Sequence, residues 1–248
     1  MGQNESLLAT VSMSPIGVVH SCFKEKFGIP RQPGLVPEAR AQLEILPPYN
    51  RDEAFRELEG FSHIWLLFFF HATARTQWKP TVRPPRLGGN QRIGVFASRS
   101  NFRPNPVGLS VVRLDGIHRQ GKKLLLEISG MDLLDGTPVF DIKPYLPYVD
   151  AIPEAISGYA VAVPEKKLIV QFSPLAEQAC IDRESAGFKN LRQMIVSLLQ
   201  MDPRPAYSLS ESNRGAGREY GMRLYDFDLK WQVTEKNILV NSLQQVQE

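Results

Sequence analysis

A long basic stretch interrupted by proline and glycine limits what this chain can fold into more than any other feature. Residues 71–114 contain eight Lys or Arg and no Asp or Glu, although the net charge of the whole protein is only +3. Prolines fix the backbone and glycines permit close approach, which favours strands and structured loops in this stretch. A field of one sign usually meets the opposite sign, and phosphate is the commonest partner. The alternative is a solvated basic loop.

Composition and spacing exclude several other classes of protein. The two cysteines, Cys22 and Cys180, are far apart and do not form a disulfide framework or a zinc knuckle. His63 and His71 would lie about 26 Å apart on one extended strand, too far to share a metal ion, and no metal site is predicted. The longest apolar run, residues 64–70, is much shorter than a membrane span, and no secretory signal is visible. We therefore expect a cytoplasmic protein without membrane attachment.

The first two-thirds of the chain predict a mainly β fold. Apolar and β-branched runs indicate strands at 16–19, 41–46, 64–70, 92–97, 108–114 and 123–129, and the run 64–70 is expected to be buried on both faces. Asn50 and Glu53 match a capping box, which predicts a helix over 50–58. The proline-rich segment 137–148 is expected to be an ordered extended loop. The segment between the strands 108–114 and 123–129 is predicted to be rich in turns, at Asp115-Gly116 and at Gln120-Gly121.

The last third of the chain has the pattern of a smaller α+β unit with its own core. Strands are predicted at 168–172, 227–233 and 238–240, and apolar residues on one face predict an amphipathic helix over 185–200. The boundary is expected between Pro153 and Pro164. We predict two domains, residues 1–156 and residues 157–248.

Two loop motifs outside the basic stretch can carry chemistry. In DLLDGTP at residues 132–138, a carboxylate can accept hydrogen bonds from a ribose diol or an amine, although Asp135 can also serve only to shape the turn. In DPRPAY at residues 202–207, two prolines hold Arg204 near Tyr207, an arrangement suited to a nucleotide contact. A simple helix stop is the alternative for this second motif.

Short motifs rich in Arg, Pro, Gly and Asp are spread along nearly the whole chain. They are EKFGIPRQPG at 25–34, GFSHIW at 60–65, RPPRLGG at 83–89, GVFASRS at 94–100, RPNPVGLS at 103–110, DLLDGTP at 132–138, DIKPY at 141–145 and DPRPAY at 202–207. The chain has neither a phosphate loop nor a GxGxxG fingerprint of a dinucleotide fold. Together these motifs resemble the TsaA/TrmO family, whose members are S-adenosylmethionine-dependent methyltransferases that act on tRNA.

The resemblance implies a fold, a cofactor and a substrate. The first domain would be a compact β-barrel methyltransferase domain, and the protein would work as a homodimer with S-adenosylmethionine as methyl donor. The substrate would be a tRNA anticodon arm in which the adenosine just after the anticodon already carries a threonylcarbamoyl group. N6 of that adenosine would receive the methyl, and the second domain would assist tRNA binding.

Carried over by motif, the resemblance also implies site residues. In this scheme Arg99 binds the methionine carboxylate, Leu109 packs on the adenine, and Asp132 or Asp135 binds the ribose or the amine. The proton acceptor would be Asp141 or a carboxylate of the 132–135 turn. The cofactor residues are Arg31, Gln32, Pro33, His71, Ala72, Arg99, Leu109, Asp132, Leu133, Leu134 and Asp135. The tRNA-binding residues are Lys24, Lys26, Arg83, Arg86, Arg92, Arg103, Arg113, Arg204 and Tyr207.

Other functions remain compatible with the charge pattern. A non-catalytic RNA-binding barrel would keep the basic stretch without needing a methyl donor. A methyltransferase of the same fold could modify a different base or small molecule. A structural or adaptor protein would leave the Arg/Pro/Gly loops unexplained.

Overall fold

The computed structural model describes residues 11–74, 77–161, 168–204, 218–234 and 237–246. Short 3₁₀ turns connect several of the longer elements in this part of the chain. The strands and α-helices are, in chain order, β1 (Gly17–Ser21), β2 (Arg40–Ile45), β3 (His63–Phe69), β4 (Thr81–Val82), β5 (Ile93–Gly94), β6 (Val107–Gln120), β7 (Lys123–Ser129), β8 (Thr137–Pro144), α1 (Pro147–Asp150), β9 (Ile169–Phe172), α2 (Pro174–Ser185), α3 (Leu191–Gln200), β10 (Glu219–Leu224), β11 (Phe227–Val233) and β12 (Asn237–Gln245).

Six strands close into a barrel, as expected for the first domain. The order around the barrel is β1-β2-β7-β6-β3-β8, and every neighbouring pair is antiparallel. Side chains alternate along each strand, so every second residue points into the barrel. The interior is filled by fully buried aliphatic side chains, among them Leu43, Ile64, Leu66, Leu126 and Val139.

Strand β3 differs from its prediction because it has one inward face and one partly covered outward face. Ile64, Leu66 and Phe68 are buried, whereas the residues between them are only partly buried. Gly108 on β6 lies opposite Phe68. A β-carbon on Gly108 would lie 2.2 Å from the Phe68 ring. A glycine is therefore needed where the ring crosses the neighbouring strand.

The predicted helix over 50–58 is wrong. Two 3₁₀ turns, Asp52–Phe55 and Leu58–Gly60, occupy this segment, and neither has a side-chain cap. The Asn50 side chain instead donates a hydrogen bond to the carbonyl of Lys122, and Glu57 adopts a positive φ of 68° that interrupts a continuous helix. A short segment of this kind follows its tertiary contacts in preference to its capping signal.

The segment 137–148 is also corrected, because most of it is the barrel strand β8. Pro138 precedes the first residue that pairs with β3, and Pro144 ends the strand, positions where a missing amide donor is tolerated. The predicted strand 92–97 shortens to β5 followed by a 3₁₀ turn. Asp115-Gly116 is not a turn, because β6 runs through it with a register shift between Leu114 and Gly116.

The C-terminal unit is a four-stranded sheet in the order β10-β11-β12-β9, with β9 parallel to β12. Helices α2 and α3 pack against this sheet. The prediction of one helix over 185–200 is wrong at its start, because Gly187 and Asn190 have positive φ angles and α3 begins at Leu191. Helix α2 was not predicted, although Ser173 followed by Pro174 is a helix-start signal, and the Ser173 hydroxyl accepts a bond from Ala176 N.

The two units share one hydrophobic core, which corrects the expectation of a separate C-terminal core. The segment after β1 makes the connection: Phe23 forms a β-bridge with Leu224, and Tyr225 N donates to the carbonyl of Cys22 at 2.8 Å. Gly28 has a φ of +89°, and a β-carbon there would lie 2.5 Å from the Met222 sulfur. The C-terminal sheet is thus docked directly beside the loop that follows β1. No helix in the described ranges is long and apolar enough to cross a membrane.

Candidate active site

Four loops meet at one end of the barrel, where β1, β3 and β7 end and β8 begins. The segment 23–34 contacts the other three. Lys26 Nζ donates to the carbonyl of Ala72, Gln32 Oε1 accepts a 2.5 Å bond from Arg99 Nη1, and Gly34 N donates to the carbonyl of Gly130 at 2.7 Å. The structure therefore brings together the predicted cofactor residues of segments 31–33, 71–72 and 132–135 with Arg99.

Asp132 is the most perturbed carboxyl group of this site. Its Oδ1 accepts a 2.7 Å hydrogen bond from the hydroxyl of Ser110, a residue only 2% exposed on the inner face of β6. Burial raises the pKa of Asp132 to about 6, although the Ser110 bond, its own backbone amide and the charge of Arg99 act in the opposite direction. Arg99 is thus close enough to act on both Gln32 and Asp132.

Asp135 has a structural role in the same turn. One of its oxygens accepts a 2.8 Å bond from Ser21 N, and the other lies 2.8 Å from Lys24 Nζ. The Ser21 hydroxyl donates to the carbonyl of Leu133 at 2.8 Å. The end of β1 therefore holds the 132–135 turn in place, and the charge of Lys24 is already compensated.

His71 lies against this turn. It follows the end of β3, and its backbone amide donates to the carbonyl of Phe69. A β-carbon built on Gly136 would lie 4.0 Å from His71 Nε2. The absence of a side chain at Gly136 leaves space beside the imidazole, so His71 is in reach of anything bound at the turn.

Leu109 and Asp141 are on the outer face of the barrel wall, away from the Ser110–Asp132 hydrogen bond. Both are paired with Leu67 of β3, one from each side, so the three side chains form one row across the sheet. Leu109 is 55% exposed. Asp141 Oδ1 accepts a bond from Ile142 N, and its Oδ2 lies 3.4 Å from Lys143 Nζ. Both side chains therefore face away from the barrel interior, toward which Ser110 points.

The predicted tRNA-binding residues differ in exposure and in their partners. Lys26, Arg83, Arg86 and Arg92 are exposed. Lys26 donates to the carbonyl of Ala72, and Arg92 donates to the hydroxyl of Thr81. Arg103 donates to the carbonyl of Ser98, Arg113 lies 3.1 Å from Asp115, and Arg204 makes two 2.7 Å bonds to Asp202. Tyr207 lies outside the described residues.

Two residues of the site were missed by the sequence analysis. Ser21 and Ser110 are buried serines whose side chains hold the 132–135 turn and the Asp132 carboxyl. A serine at an inward position of a strand is a weak signal, although Ser110 was already part of the RPNPVGLS motif. Among the described residues there is no group of three or more His, Cys, Asp or Glu that could hold a metal ion.

Family models match both units of the chain. The model for the tRNA-methyltransferase O N-terminal domain matches residues 18–151, and the model for the TrmO C-terminal domain matches residues 165–246. The chain belongs to the TrmO family. The barrel with its loop site and the sheet that follows it therefore correspond to the two parts that the family combines.

Relatives and solved structures agree with this assignment. The chain is 44% identical over 237 residues to tRNA (adenine(37)-N6)-methyltransferase of Escherichia coli (strain K12), covering 96% of this chain and 99% of that protein. It is 47% identical to a Pseudomonas aeruginosa protein provisionally named S-adenosylmethionine-dependent methyltransferase RcsF, covering 93% of this chain and 96% of that one. A crystal structure of TrmO from Pseudomonas aeruginosa superimposes with a TM-score of 0.77 at 42% identity, covering 95% and 99% of the two chains.

Proposed function

We propose that this protein is an S-adenosylmethionine-dependent methyltransferase that methylates N6 of the adenosine following the anticodon of tRNA. The observation that carries the proposal is the meeting of four loops around Arg99 and Asp132 in a chain of the TrmO family. In keeping with the resemblance, the acceptor adenosine carries a threonylcarbamoyl group, and the enzyme acts in the cytoplasm on the anticodon arm.

The charges and shape of the site fit the cofactor. S-adenosylmethionine supplies a methyl group on a positively charged sulfonium, which makes that methyl electrophilic. Arg99 can bind a carboxylate with its planar guanidinium, and Asp132 can bind a cationic amine or a ribose hydroxyl. Backbone groups of Ala72 and Leu133 can bind an adenine edge. The cofactor would be held by the backbone of Arg31 and by Gln32, Pro33, His71, Ala72, Arg99, Asp132, Leu133 and Leu134. Asp135 would fix the turn, and the backbone of Leu109 would lie at the edge of the site.

Two carboxyl groups are candidates for the proton that N6 must lose. Asp141 is bonded to its own neighbour Ile142 and faces the outer surface. Asp132 is partly buried and feels the charge of Arg99, and a carboxylate with a raised pKa is a better base near neutral pH. We therefore favour Asp132 over Asp141 as proton acceptor. The rest of the rate enhancement comes from holding nucleophile and methyl in line, which can be worth about 7–11 kcal/mol.

The tRNA backbone would be bound by the exposed cations near this end of the barrel. Lys26, Arg83 and Arg92 are the best placed of the predicted residues, because they are exposed and none of the three forms an ion pair with a carboxylate among the described residues. Arg86 is exposed in the same stretch as Arg83 and Arg92. Residues 157–248, the proposed second domain, add their own surface beside the loop that follows β1. A polyanion bound in this way loses affinity steeply as salt increases.

A homodimer is supported by exposed apolar side chains that lie close together in the segment 148–156. Tyr148 is 84% exposed, Val149 60%, Ile152 61% and Ile156 97%. A patch of this kind is typical of an interface. Light scattering of the purified protein at micromolar concentration should give twice the mass of one chain, and a monomer would reject this part of the proposal.

Incubation of the purified protein with S-adenosylmethionine and tRNA tests the enzymatic proposal. Mass spectrometry of digested nucleosides should show one extra methyl on the N6-modified adenosine after the anticodon, and the same nucleoside should be missing from cells that lack the protein. Arg99→Ala should lose cofactor affinity in calorimetry, whereas Arg113→Ala, which lies elsewhere on the barrel, should keep it. Retention of tRNA without methyl transfer would instead favour the non-catalytic RNA-binding barrel, and methylation of another base would favour the different-substrate alternative.

A further inference from the structure

A cleft lies beside the loop that carries Arg31. It has a volume of about 280 Å³ and separates the segment after β1 from the end of α3. Its walls are mainly apolar: Phe27, Ile29 and Pro30 on one side, and Leu198, Met201 and Pro203 on the other. This cleft is formed by the barrel and the C-terminal unit together, and neither unit alone would contain it.

The rim of the cleft is positively charged. Lys26 and Arg31 both line it and are exposed, and in the described part of the chain neither has an acidic partner. Lys26 donates to the carbonyl of Ala72, which orients its ammonium group without neutralising it. The cleft thus combines apolar walls with two uncompensated cations, a combination complementary to a flat apolar group attached to an anion.

Arg204 also lines the cleft, but its charge is neutralised by an ion pair with Asp202. Two 2.7 Å bonds join its guanidinium to Asp202, its side chain is 14% exposed, and its Cζ lies 6.0 Å from the Tyr220 ring. The hydrogen bonds to Asp202 raise the pKa of Arg204, so the ion pair is kept. Arg204 therefore forms a fixed wall, and a preformed wall lowers the ordering cost of binding.

The cleft adjoins the candidate active site. Arg31 lines the cleft, and the next residue, Gln32, accepts the bond from Arg99. Lys26 likewise connects the cleft to Ala72 of the active site. Whatever occupies the cleft is therefore a near neighbour of the group that reacts.

We propose that the cleft binds the base and phosphate of an anticodon-loop nucleotide adjacent to the methylated adenosine. The proposal rests on the proposed function. An enzyme that acts on a base must take it out of its stack, which leaves the neighbouring base exposed and in need of new contacts. Apolar walls can take up that base, and Lys26 and Arg31 can bind its phosphate.

Abasic substitution in the RNA tests the proposal with the wild-type protein. Anticodon stem-loops are prepared with an abasic site immediately before or immediately after the target adenosine, and their affinities are measured with S-adenosylmethionine present. One of the two should bind on the order of 10-fold more weakly than the intact stem-loop, since stacking of one base is worth about 1–3 kcal/mol. Equal binding of all three RNAs would overturn the proposal.

A variant that fills the cleft tests whether the base missing from the abasic RNA binds there. Met201→Trp should weaken binding of the intact stem-loop by about 10-fold and should abolish the penalty of the abasic site, because the base can no longer enter. Met201→Leu, which conserves the volume, should behave as wild type. An unchanged abasic penalty in Met201→Trp would place the base elsewhere and overturn the proposal.

The affinity for S-adenosylmethionine separates the cleft from the cofactor site. Met201→Trp should bind the cofactor as wild type does, and a parallel loss would assign the cleft to the cofactor and overturn the proposal. A melting temperature within a few degrees of wild type confirms that the variant is folded, and the abasic comparison needs no variant at all. Failure of the proposed function is a different result, namely that wild-type protein does not methylate intact tRNA.

Discussion

The hydroxyl of Ser110 donates a 2.7 Å hydrogen bond to Asp132 Oδ1 and links an inward position of β6 to the loop before β8. The two residues are 22 positions apart in sequence. A hydroxyl donor stabilises the ionised carboxylate, whereas burial of the same group favours the protonated form. The balance leaves the pKa of Asp132 at about 6, within reach of the proton transfer that N6 methylation requires.

The pH dependence of methylation should report this pair. If Asp132 accepts the proton, kcat/KM should rise with pH and level off above an inflection near 6. Ser110→Ala should shift the inflection upward, because the carboxylate loses the donor that stabilises it. Ser110→Thr, which keeps a hydroxyl, should restore the profile in part. If the inflection is unchanged in Asp132→Asn and is lost in Asp141→Asn, the proton acceptor is Asp141 instead.

The raised pKa of Asp132 should also make the free energy of unfolding depend on pH. In the unfolded chain Asp132 ionises near its ordinary value of 3.8, whereas in the folded protein it ionises only near 6. The unfolded state therefore loses its proton first, and the wild type loses stability relative to Asp132→Asn as pH rises between about 4 and 6. Urea unfolding at pH 4 and pH 7 should show the difference between the two proteins growing by about 2 kcal/mol and then remaining constant. A constant difference across this range would contradict a raised pKa of the Asp132 carboxyl group.

The strands of the barrel could be predicted from composition, but their closure could not. Alternation and β-branched runs located β2, β3, β6 and β7. The helix expected over 50–58 failed because a capping signal is local, and the Asn50 side chain finds a better partner on the β6–β7 hairpin at Lys122. Strand β8 was hidden by its prolines, which the strand tolerates because Pro138 precedes the first residue paired with β3 and Pro144 is the last residue of the strand.

The site shows the same division between local and long-range information. Motifs marked Arg99, Gln32 and the 132–135 turn, because each lies in an unusual loop. The sequence did not reveal that Asp135 accepts a hydrogen bond from Ser21 and pairs with Lys24, or that Ser110 donates a hydrogen bond to Asp132. Those contacts depend on strand register, and register follows from how the whole barrel closes.

Gly108 gives a direct test of barrel packing. Gly108→Ala should destabilise the protein by about 1–3 kcal/mol, because the new methyl would overlap the Phe68 ring, whose nearest atom lies 2.2 Å from the β-carbon position. Gly116→Ala on the same strand is the matched control, since nothing lies within 4 Å of its β-carbon position. Thermal unfolding of the two variants should show a loss only at Gly108. Equal effects would mean that strand propensity, and not the Phe68 contact, sets the cost.

Arginines that form an ion pair within the protein should contribute differently to tRNA binding from arginines that do not. Arg83 is exposed without an acidic partner among the described residues, whereas Arg113 lies 3.1 Å from Asp115 and Arg204 is held by Asp202. Removing a cation that contacts phosphate should lower the slope of log K against log salt by about 1, because one fewer counterion is released. Arg83→Gln should show that change. Arg113→Gln and Arg204→Gln should keep the wild-type slope, even if Arg204→Gln weakens binding by loosening the cleft wall. A lower slope in all three variants would mean that tRNA competes successfully with Asp115 and Asp202, and that the paired arginines are released to phosphate when the RNA binds.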